Sequence, residues 1–483
     1  MPISVLPDVT VDIQDGALGL VPINTFGIHV KLGVCTTGKP NTLYSFSAPS
    51  DVVATLGTGP LVEAGAYTLS VAGGPVYLMP VQASVPGAVG ALTVVRAPGT
   101  PSTGTFAVAG APLDGYAVVA TIVQGATVGG SPGPTFTLSL DGGTSQSAIL
   151  AVPTTGAYPI AGTGLTITFA GAFNSGDSFA FSCAPPSYSL TDLATALQAL
   201  LADPRTWGFL HVVGTTGGAD DPAKATAAAA LFAALAAFMA QAKTRFRYAR
   251  AVIEAPRVSD GALATAFQNQ ADTRVMVCAG YETLTSTVTG RQNLRSAAWP
   301  VTARAASVRV SEDLGRVATG PLPGVVSLDR DEQQTPGLDA QRFATLRTII
   351  GRQGFYITNP NIMAPSGSDF SLWQNARVMD VACAISRNAL LQYLNDAVRV
   401  DAKTGFVNPK DAIPIERYTE GQVRAELVQP GDASDVTVTV ARTDNILSTR
   451  TLRVSTRVLP LAYSKYIEET IGFSNPALQL VAA

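Results

Sequence analysis

The 483-residue sequence predicts a multidomain α/β (α+β) protein, with mixed sheets flanked by helices, an inserted all-β domain and extended strand arms at both termini. Three observations carry this reading. Helix and strand periodicities alternate over residues 26–85 and again from 187 onward. Between 88 and 184 the pattern changes to short apolar or alternating runs about ten residues apart, separated by turn residues. Both ends of the chain carry an alternating strand with no evident partner of its own.

Composition narrows the class. Hydrophobic residues make up 47 % and charged residues 14 %, against roughly 25 % charged in an average soluble protein. A disordered chain would be rich in charge and poor in Val, Ile and Phe, so that class is excluded. The apolar segments read as interrupted before 18 residues, which argues against a polytopic membrane protein. So little charge on a soluble chain predicts a surface covered by neighbours. The net charge of −3 leaves no basic field to recruit nucleic acid. The start, MPISVLPDVTVDIQDG, lacks the basic and long apolar regions of a secretory signal, which predicts assembly in the cytoplasm.

Charge also divides the chain. Residues 1–190 carry only Lys31, Lys39 and Arg96 against Asp8, Asp12, Asp15, Asp51, Glu63, Asp114, Asp141 and Asp177, and the remaining charges lie beyond. Two compositions imply at least two kinds of domain.

Residues 1–25 form the first arm, with Val9, Val11 and Ile13 alternating with polar residues and Pro2 and Pro7 forbidding a helix. Residues 26–87 read as a small α/β unit, GIHVKLGVC and PVYLMPV as strands and PLVEAGAYTLSVAGG as a helix stopped by Gly-Gly. Residues 88–184 are the inserted β-sandwich or barrel, with TFAVAG, YAVVATIV, TFTLSLDGG, LTITF and SFAFSC as strands. Residues 185–335 form an α/β middle domain. In it Leu193, Leu197, Leu200 and Leu201 share a helix face, WGFLHVVG is a strand, and Asp220-Asp221-Pro222 opens a long helix. From 281 to 335 it reads as loops.

Residues 336–461 form a C-terminal core domain with a helix at about 341–351, a strand at GFYITNP and a long amphipathic helix at about 372–398. That helix turns Val378, Val381, Ala382, Ile385, Leu390 and Leu394 inward, and Asp380, Arg387, Asn388 and Asn395 outward. Residues 401–435 read as loop, followed by strands VTVTVAR and TRTLRVSTRVLPL. The latter has Leu452, Val454 and Val458 on one face and Arg453, Ser455 and Arg457 on the other. Residues 462–483 are the second arm, where Ile467, Glu469, Ile471 and Phe473 alternate.

No motif for chemistry stands out. The Gly-Gly pairs at 73, 129, 142 and 217 lack the spacing of a phosphate loop and read as turns. His211, inside the apolar FLHVV, reads as a core or edge histidine rather than a catalytic base. Asp329, Asp331 and Glu332 read as a solvated loop or a charged face toward another subunit, since no calcium-loop pattern surrounds them. Cys35, Cys183, Cys278 and Cys383 are far apart, which favours free thiols, and with only His29 and His211 beside them no zinc site is expected. We expect no catalytic residue, no metal and no cofactor.

The ensemble resembles the contractile tail sheath proteins of myovirus-type bacteriophages. The stretch YSFSAPSDVVATLGTGPLVEAGAYTLSVAGGPVYLMPV is similar to the sheath N-terminal region, and the β domain at 88–184 to the outward-facing protrusion of phage sheaths. TLRTIIGRQGFYITNPNIM, LWQNARVMDVACAISRNALLQYL and TLRVSTRVLPLAYSKYIEETIGF are similar to the sheath C-terminal domain. The loops 281–335 and 401–435 match no sheath pattern.

The resemblance implies a virion subunit assembled in the host cytoplasm as stacked hexameric rings around a tail tube. Its partners would be further copies, the tube protein, and baseplate and tail terminator proteins, with neither nucleic acid nor membrane insertion. Arms at Val9, Val11 and Ile13 and at Ile467, Glu469, Ile471 and Phe473 would add strands to neighbours' sheets. Contraction from a metastable extended lattice would drive the tube through an envelope. The long helix and the cluster Arg387, Asp396, Arg399 and Lys403, with Asp401, would face the tube, the alternative being an ordinary solvated face. Two other classes stay open: a phage surface or adhesin protein with a β receptor-binding domain, and an α/β enzyme using His211.

Overall fold

The computed structural model describes residues 27–99 and 102–473. Val9, Val11 and Ile13 of the expected first arm therefore lie outside the described residues. The chain divides into two compact units, Met1–Val310 with Leu314–Leu372, and Trp373–Ala483 with Ser311–Asp313.

The first unit opens with β1 (His29–Gly33), β2 (Tyr44–Phe46), α1 (Pro49–Leu56), α2 (Pro60–Ala72) and β3 (Val76–Pro80). The inserted segment follows: β4 (Ala88–Val89), β5 (Thr93–Val95), β6 (Thr105–Gly110), β7 (Tyr116–Gln124), β8 (Thr135–Ser139), β9 (Leu150–Ala151), β10 (Ala157–Ile160), β11 (Leu165–Ala170) and β12 (Ser178–Ala184). Helices and strands then alternate through α3 (Leu190–Ala202), β13 (Phe209–Val212), α4 (Asp221–Thr244), β14 (Arg250–Glu254), α5 (Asp260–Phe267) and β15 (Val275–Cys278). The unit closes with β16 (Tyr281–Thr285), β17 (Gln292–Ser296), α6 (Ala298–Ser307), β18 (Val325–Leu328), β19 (Leu346–Ile349) and β20 (Arg352–Ile357).

The central sheet has the order β15-β14-β13-β1-β3-β2. Its strands run parallel except β2, which is antiparallel to β3. Parallel neighbours need crossover connections, and the helices supply them on both faces. Strand order reverses between β1 and β13, the switch point of a doubly wound sheet. Across its parallel strands one face is apolar: Val30, Leu32, Leu210, Val212, Ala251, Ile253, Val275 and Val277 pack against α3, α4 and α5. The other face carries His29, Lys31, His211 and Glu254 at the alternate positions and is covered by α2 and α6. Gly65 lets α2 approach β3, since a Cβ there would sit 2.6 Å from Leu78 Cδ1.

Local chemistry starts the helices where expected. Ser189 and Asp192 form a reciprocal capping box on α3, and Asp220 caps α4 with Pro222 in its first turn. One expectation fails at α4. Residues 225–242 contain no charge, so α4 is long and apolar enough to cross a membrane by length and composition. Here its Leu231, Phe232, Leu235, Phe238 and Met239 are buried against the central sheet.

The inserted strands form two sheets, β10-β11-β6 and β4-β12-β7-β8-β9 with β5 also on β12. They enclose one apolar core in which Phe106 stacks on Phe179 at 4.4 Å and Phe136 meets Phe169 at 4.9 Å. The four charges here are tied down. Arg96 bonds Asp177, Asp141 accepts from Ser139 and Ser145, and Asp114 pairs with Arg295 outside the domain.

One loop reading and one helix reading are corrected here. Residues 281–335 hold an antiparallel sheet, β17-β16-β18, and helix α6. The helix expected at 341–351 is a hairpin, β19 with β20, turning at Gly351 with φ +82°. Consecutive β-branched residues in TLRTII favour the strand, and only glycine adopts that turn freely. Asp329, Asp331 and Glu332 are not simply solvated either. They accept from Arg257, from Thr348 and from Arg330 respectively, and Glu332 is buried.

The second unit holds α7 (Trp373–Leu391), α8 (Pro409–Val423), a π-helical turn over Arg424–Val428, β21 (Asp435–Val440), α9 (Ile446–Thr449) and β22 (Val454–Leu459). Helix α8 corrects the loop expected over 401–435. Asn408 caps it and Pro409 begins it, but Pro414 inside it interrupts the pattern that marks a helix. Helix α7 ends at Leu391 rather than near 398. Val378, Val381 and Ala382 are buried as expected. Asp380 is buried too, 3.9 Å from Arg377, and Leu394 is exposed beyond the helix end.

Candidate assembly surfaces and a buried polar seam

Strands β21 and β22 pair antiparallel, from Asp435 opposite Leu459 to Val440 opposite Val454. Residues at the even positions of β22 are half-buried, and Ser386 on α7 meets Thr456 at 3.1 Å. Ser455, Arg457 and Leu459 face outward, as does Arg453 just before the strand. The expected two-faced strand is thus present.

After Pro460 the chain leaves the ladder but stays attached at two points. The Tyr463 hydroxyl donates to the Ser311 carbonyl at 2.6 Å, and Lys465 Nζ donates to Asp313 at 2.5 Å. Beyond them Ile467 is 84 % exposed and Ile471 85 %, and Tyr466, Glu469 and Phe473 are exposed as well. The strand expected here is not formed within the chain: residues 460–473 are irregular. An extended segment gains ladder bonds only from an adjacent edge, and among the described residues none lies beside it.

The residues of the expected tube-facing cluster each have their own local partners. Arg387 is half-buried on α7. Arg399 makes a two-pronged ion pair with Asp411 in the first turn of α8, which holds the Asp411 carboxyl down at about 2. Asp396 is exposed and accepts from the Ala397 N–H at 2.8 Å. Lys403 is exposed in a turn where its N–H donates to Asp401 at 3.0 Å.

In the first unit the polar face of the central sheet forms a seam that the sequence reading missed. Register places Lys31 beside His211, with Lys31 Nζ 2.9 Å from His211 Nδ1 and donating to Thr302 of α6 at 2.9 Å. On its other side His211 Nε2 lies 3.2 Å from Glu254 Oε1, which accepts from Trp299 Nε1 at 2.8 Å. His211 Nε2 faces this carboxylate without a hydrogen bond to it. Burial lowers the Lys31 pKa to about 7 and raises that of Glu254 to about 7, each partly offset by attraction to the other. Burial, then the Lys31 charge, holds both histidines well below their ordinary value.

Two groups at the seam have no hydrogen-bond partner. His29 stacks flat on Phe209 at 4.7 Å with both ring nitrogens unbonded. Glu282 is fully buried with both carboxyl oxygens unbonded, and burial followed by Glu254 pushes its pKa well up. His211 itself is 0 % exposed and enclosed by Lys31, Thr302 and Glu254, which leaves it no open approach for a substrate. A charged residue inside HVKLG and RAVIE, and a histidine in FLHVV, were the available signals, since buried parallel strands otherwise read as apolar runs. The four cysteines are free, and among the described residues no group of His, Cys, Asp and Glu has the arrangement of a metal site.

The architecture is that of contractile sheath proteins. A chain of an extracellular contractile injection system, the PVC sheath complex in its contracted state, is similar with a TM-score of 0.53 at 10 % identity, covering 99 % of this chain and 100 % of that one. The anti-feeding prophage helical sheath in its contracted state gives 0.53 at 11 % identity over 98 % and 100 %. A chain of the anti-feeding prophage baseplate gives 0.53 at 11 % over 98 % and 100 %. At such identity the likeness establishes the fold. By sequence the chain belongs to the DUF2586 family, whose N-terminal domain matches residues 6–361 and whose C-terminal domain matches residues 369–478. No curated protein matches it.

Proposed function

We propose that this chain is the sheath subunit of a contractile tail or injection particle, assembling as stacked hexameric rings around a tube and shortening to drive that tube through an envelope. The single observation that carries the reading is the C-terminal segment, tethered by Tyr463 and Lys465 and then presenting Tyr466, Ile467, Ile471 and Phe473 to solvent. Such an apolar stretch is costly in a free monomer and is covered once it lies along a neighbour's sheet. The edge we assign to receive it is the β21–β22 hairpin of another copy, where Arg453 and Arg457 suit the acidic residues Glu468 and Glu469 of the incoming segment. The first arm, with Val9, Val11 and Ile13 beside Asp8, Asp12 and Asp15, has the same acidic, alternating character.

Sheath, baseplate and terminator partners, a virion location and assembly in the host cytoplasm belong to this same proposal. Truncation after Lys465 tests it by negative-stain microscopy of the purified chain. The full chain is expected to give tubes or rings, and the truncated chain soluble particles with unchanged thermal stability. Normal tubes from the truncated chain would remove the arm from the mechanism. Trimers or fibres from the full chain would point to an adhesin, and discrete particles to an enzyme.

A further inference from the structure

We infer that the Asp114–Arg295 pair is a clamp that fixes the inserted β domain as a rigid extension of the α/β body, and that opening it frees the domain to turn about its two chain crossings. This concerns the first unit alone and holds whatever the chain assembles into.

The covalent connection by itself is slender. The chain leaves the body near Val85 and returns near Ser187, and these two residues exchange backbone hydrogen bonds of 3.1 and 2.9 Å. Pro86, Pro185 and Pro186 beside them have no N–H to extend that ladder. The third tie comes from the β6–β7 loop. Both oxygens of Asp114 accept from Arg295 on β17, at 2.9 and 2.8 Å, with both side chains almost fully buried. The Arg295 guanidinium lies over the Trp299 ring at 5.0 Å, and Trp299 is bonded to Glu254. The clamp is thereby seated on the end of the polar seam.

Packing does not do the same job. Behind the clamp is a cavity of about 390 Å³ with Tyr116, Cys183 and Pro185 on the domain side and Gly214, Glu254 and Trp299 on the body side. Surfaces separated by such a space forgo the dispersion contacts that lock a close-packed interface. Beside the hydrogen bond that the Asp141 carboxylate accepts from the Gln292 backbone N–H, a desolvated two-pronged ion pair is then the strongest directional tie, and the space leaves room for the domain to rock once it opens.

Hydrogen exchange on the full chain tests this. The double variant Asp114→Leu with Arg295→Met removes both charges of the clamp together, and Glu63, which Arg295 also attracts, keeps the Ser286 hydroxyl and Arg291. It is expected to speed exchange at residues 84–88 and 184–188 about tenfold, with β13 and β14 unchanged. Exchange at the crossings within twofold of the parent chain, with β13 and β14 still protected, would overturn the clamp. Should the double variant lose protection throughout β13 and β14, Asp114→Asn decides in its place. It keeps the side-chain shape while weakening the pair, so at least threefold faster exchange at the crossings supports the clamp and no change overturns it.

Discussion

Lys31 Nζ and His211 Nδ1 lie 2.9 Å apart on neighbouring central strands although 180 residues separate them in the chain. The contact runs on to Glu254 and Trp299, so a buried polar row crosses one face of a sheet whose parallel strands present an apolar core on the other. A row of this kind costs desolvation and returns less than apolar packing would. Its energetic consequences are therefore open to measurement.

Replacing one end of the row should be severe. Glu254→Ala removes the acceptor of Trp299 and the counter-charge of Lys31, and is expected to destabilise the first unit by about 3 kcal/mol or more. Glu254→Gln, which keeps an acceptor for Trp299, should lose less. Urea unfolding of both variants checks the order, and equal losses would mean that charge, not hydrogen bonding, dominates.

His29 gives the opposite outcome. Its two unbonded nitrogens are buried, so His29→Leu is expected to stabilise by about 1 kcal/mol. Its pKa in the fold is depressed below 6.5, so the unfolded chain binds the proton first. The stability this provides is present above about pH 6.5 and is lost as the pH falls toward the depressed value. Between about pH 7.5 and 5 the melting temperature of the variant should rise relative to that of the parent as the pH falls, since Glu254 and Glu282, whose raised pKa values act with the opposite sign, are common to both chains.

Arg399 separates two readings of the second unit. Because it holds Asp411 at the start of α8, Arg399→Glu is expected to loosen residues 396–412 in hydrogen exchange even in an unassembled chain. Lys403→Glu should leave that segment unchanged and affect only assembly around a tube. Equal local loosening by both substitutions would contradict the assignment of Arg399 as a structural tie.

Excision of residues 88–184 with a short linker uncovers Arg295 as well as removing Asp114, because Gly115, Tyr116, Ser182 and Cys183 line the same cavity beside it. A solvated guanidinium needs no partner, so the shortened chain is expected to stay soluble, and Arg295→Met in it to leave the melting temperature unchanged. Soluble yield and melting temperature of the two shortened chains provide the check. A gain from Arg295→Met would show that the arginine stays buried and unpaired after excision.

Periodicity made much of the architecture readable. TFAVAG, YAVVATIV, LTITF and SFAFSC form strands, Ser189 caps a helix, and Arg453 and Arg457 lie on the outer side of the last strand, because each of these depends on residues within a few positions. Where local signals conflict, the reading failed. Pro414 concealed α8, TLRTII fitted a helix and a strand alike, and Asp380 was placed outside although Arg377 accompanies it inside. The seam and the clamp were out of reach for a different reason. Lys31 meets His211 because β13 docks beside β1 in that register despite the β domain lying between them in the chain, and Asp114 meets Arg295 across the junction of that domain with the body. Strand order and register decide such contacts. The alternation of Ile467, Ile471 and Phe473 is local, but a ladder needs a second edge, so sequence alone determines the capacity to form that strand and the surrounding structure decides whether it forms.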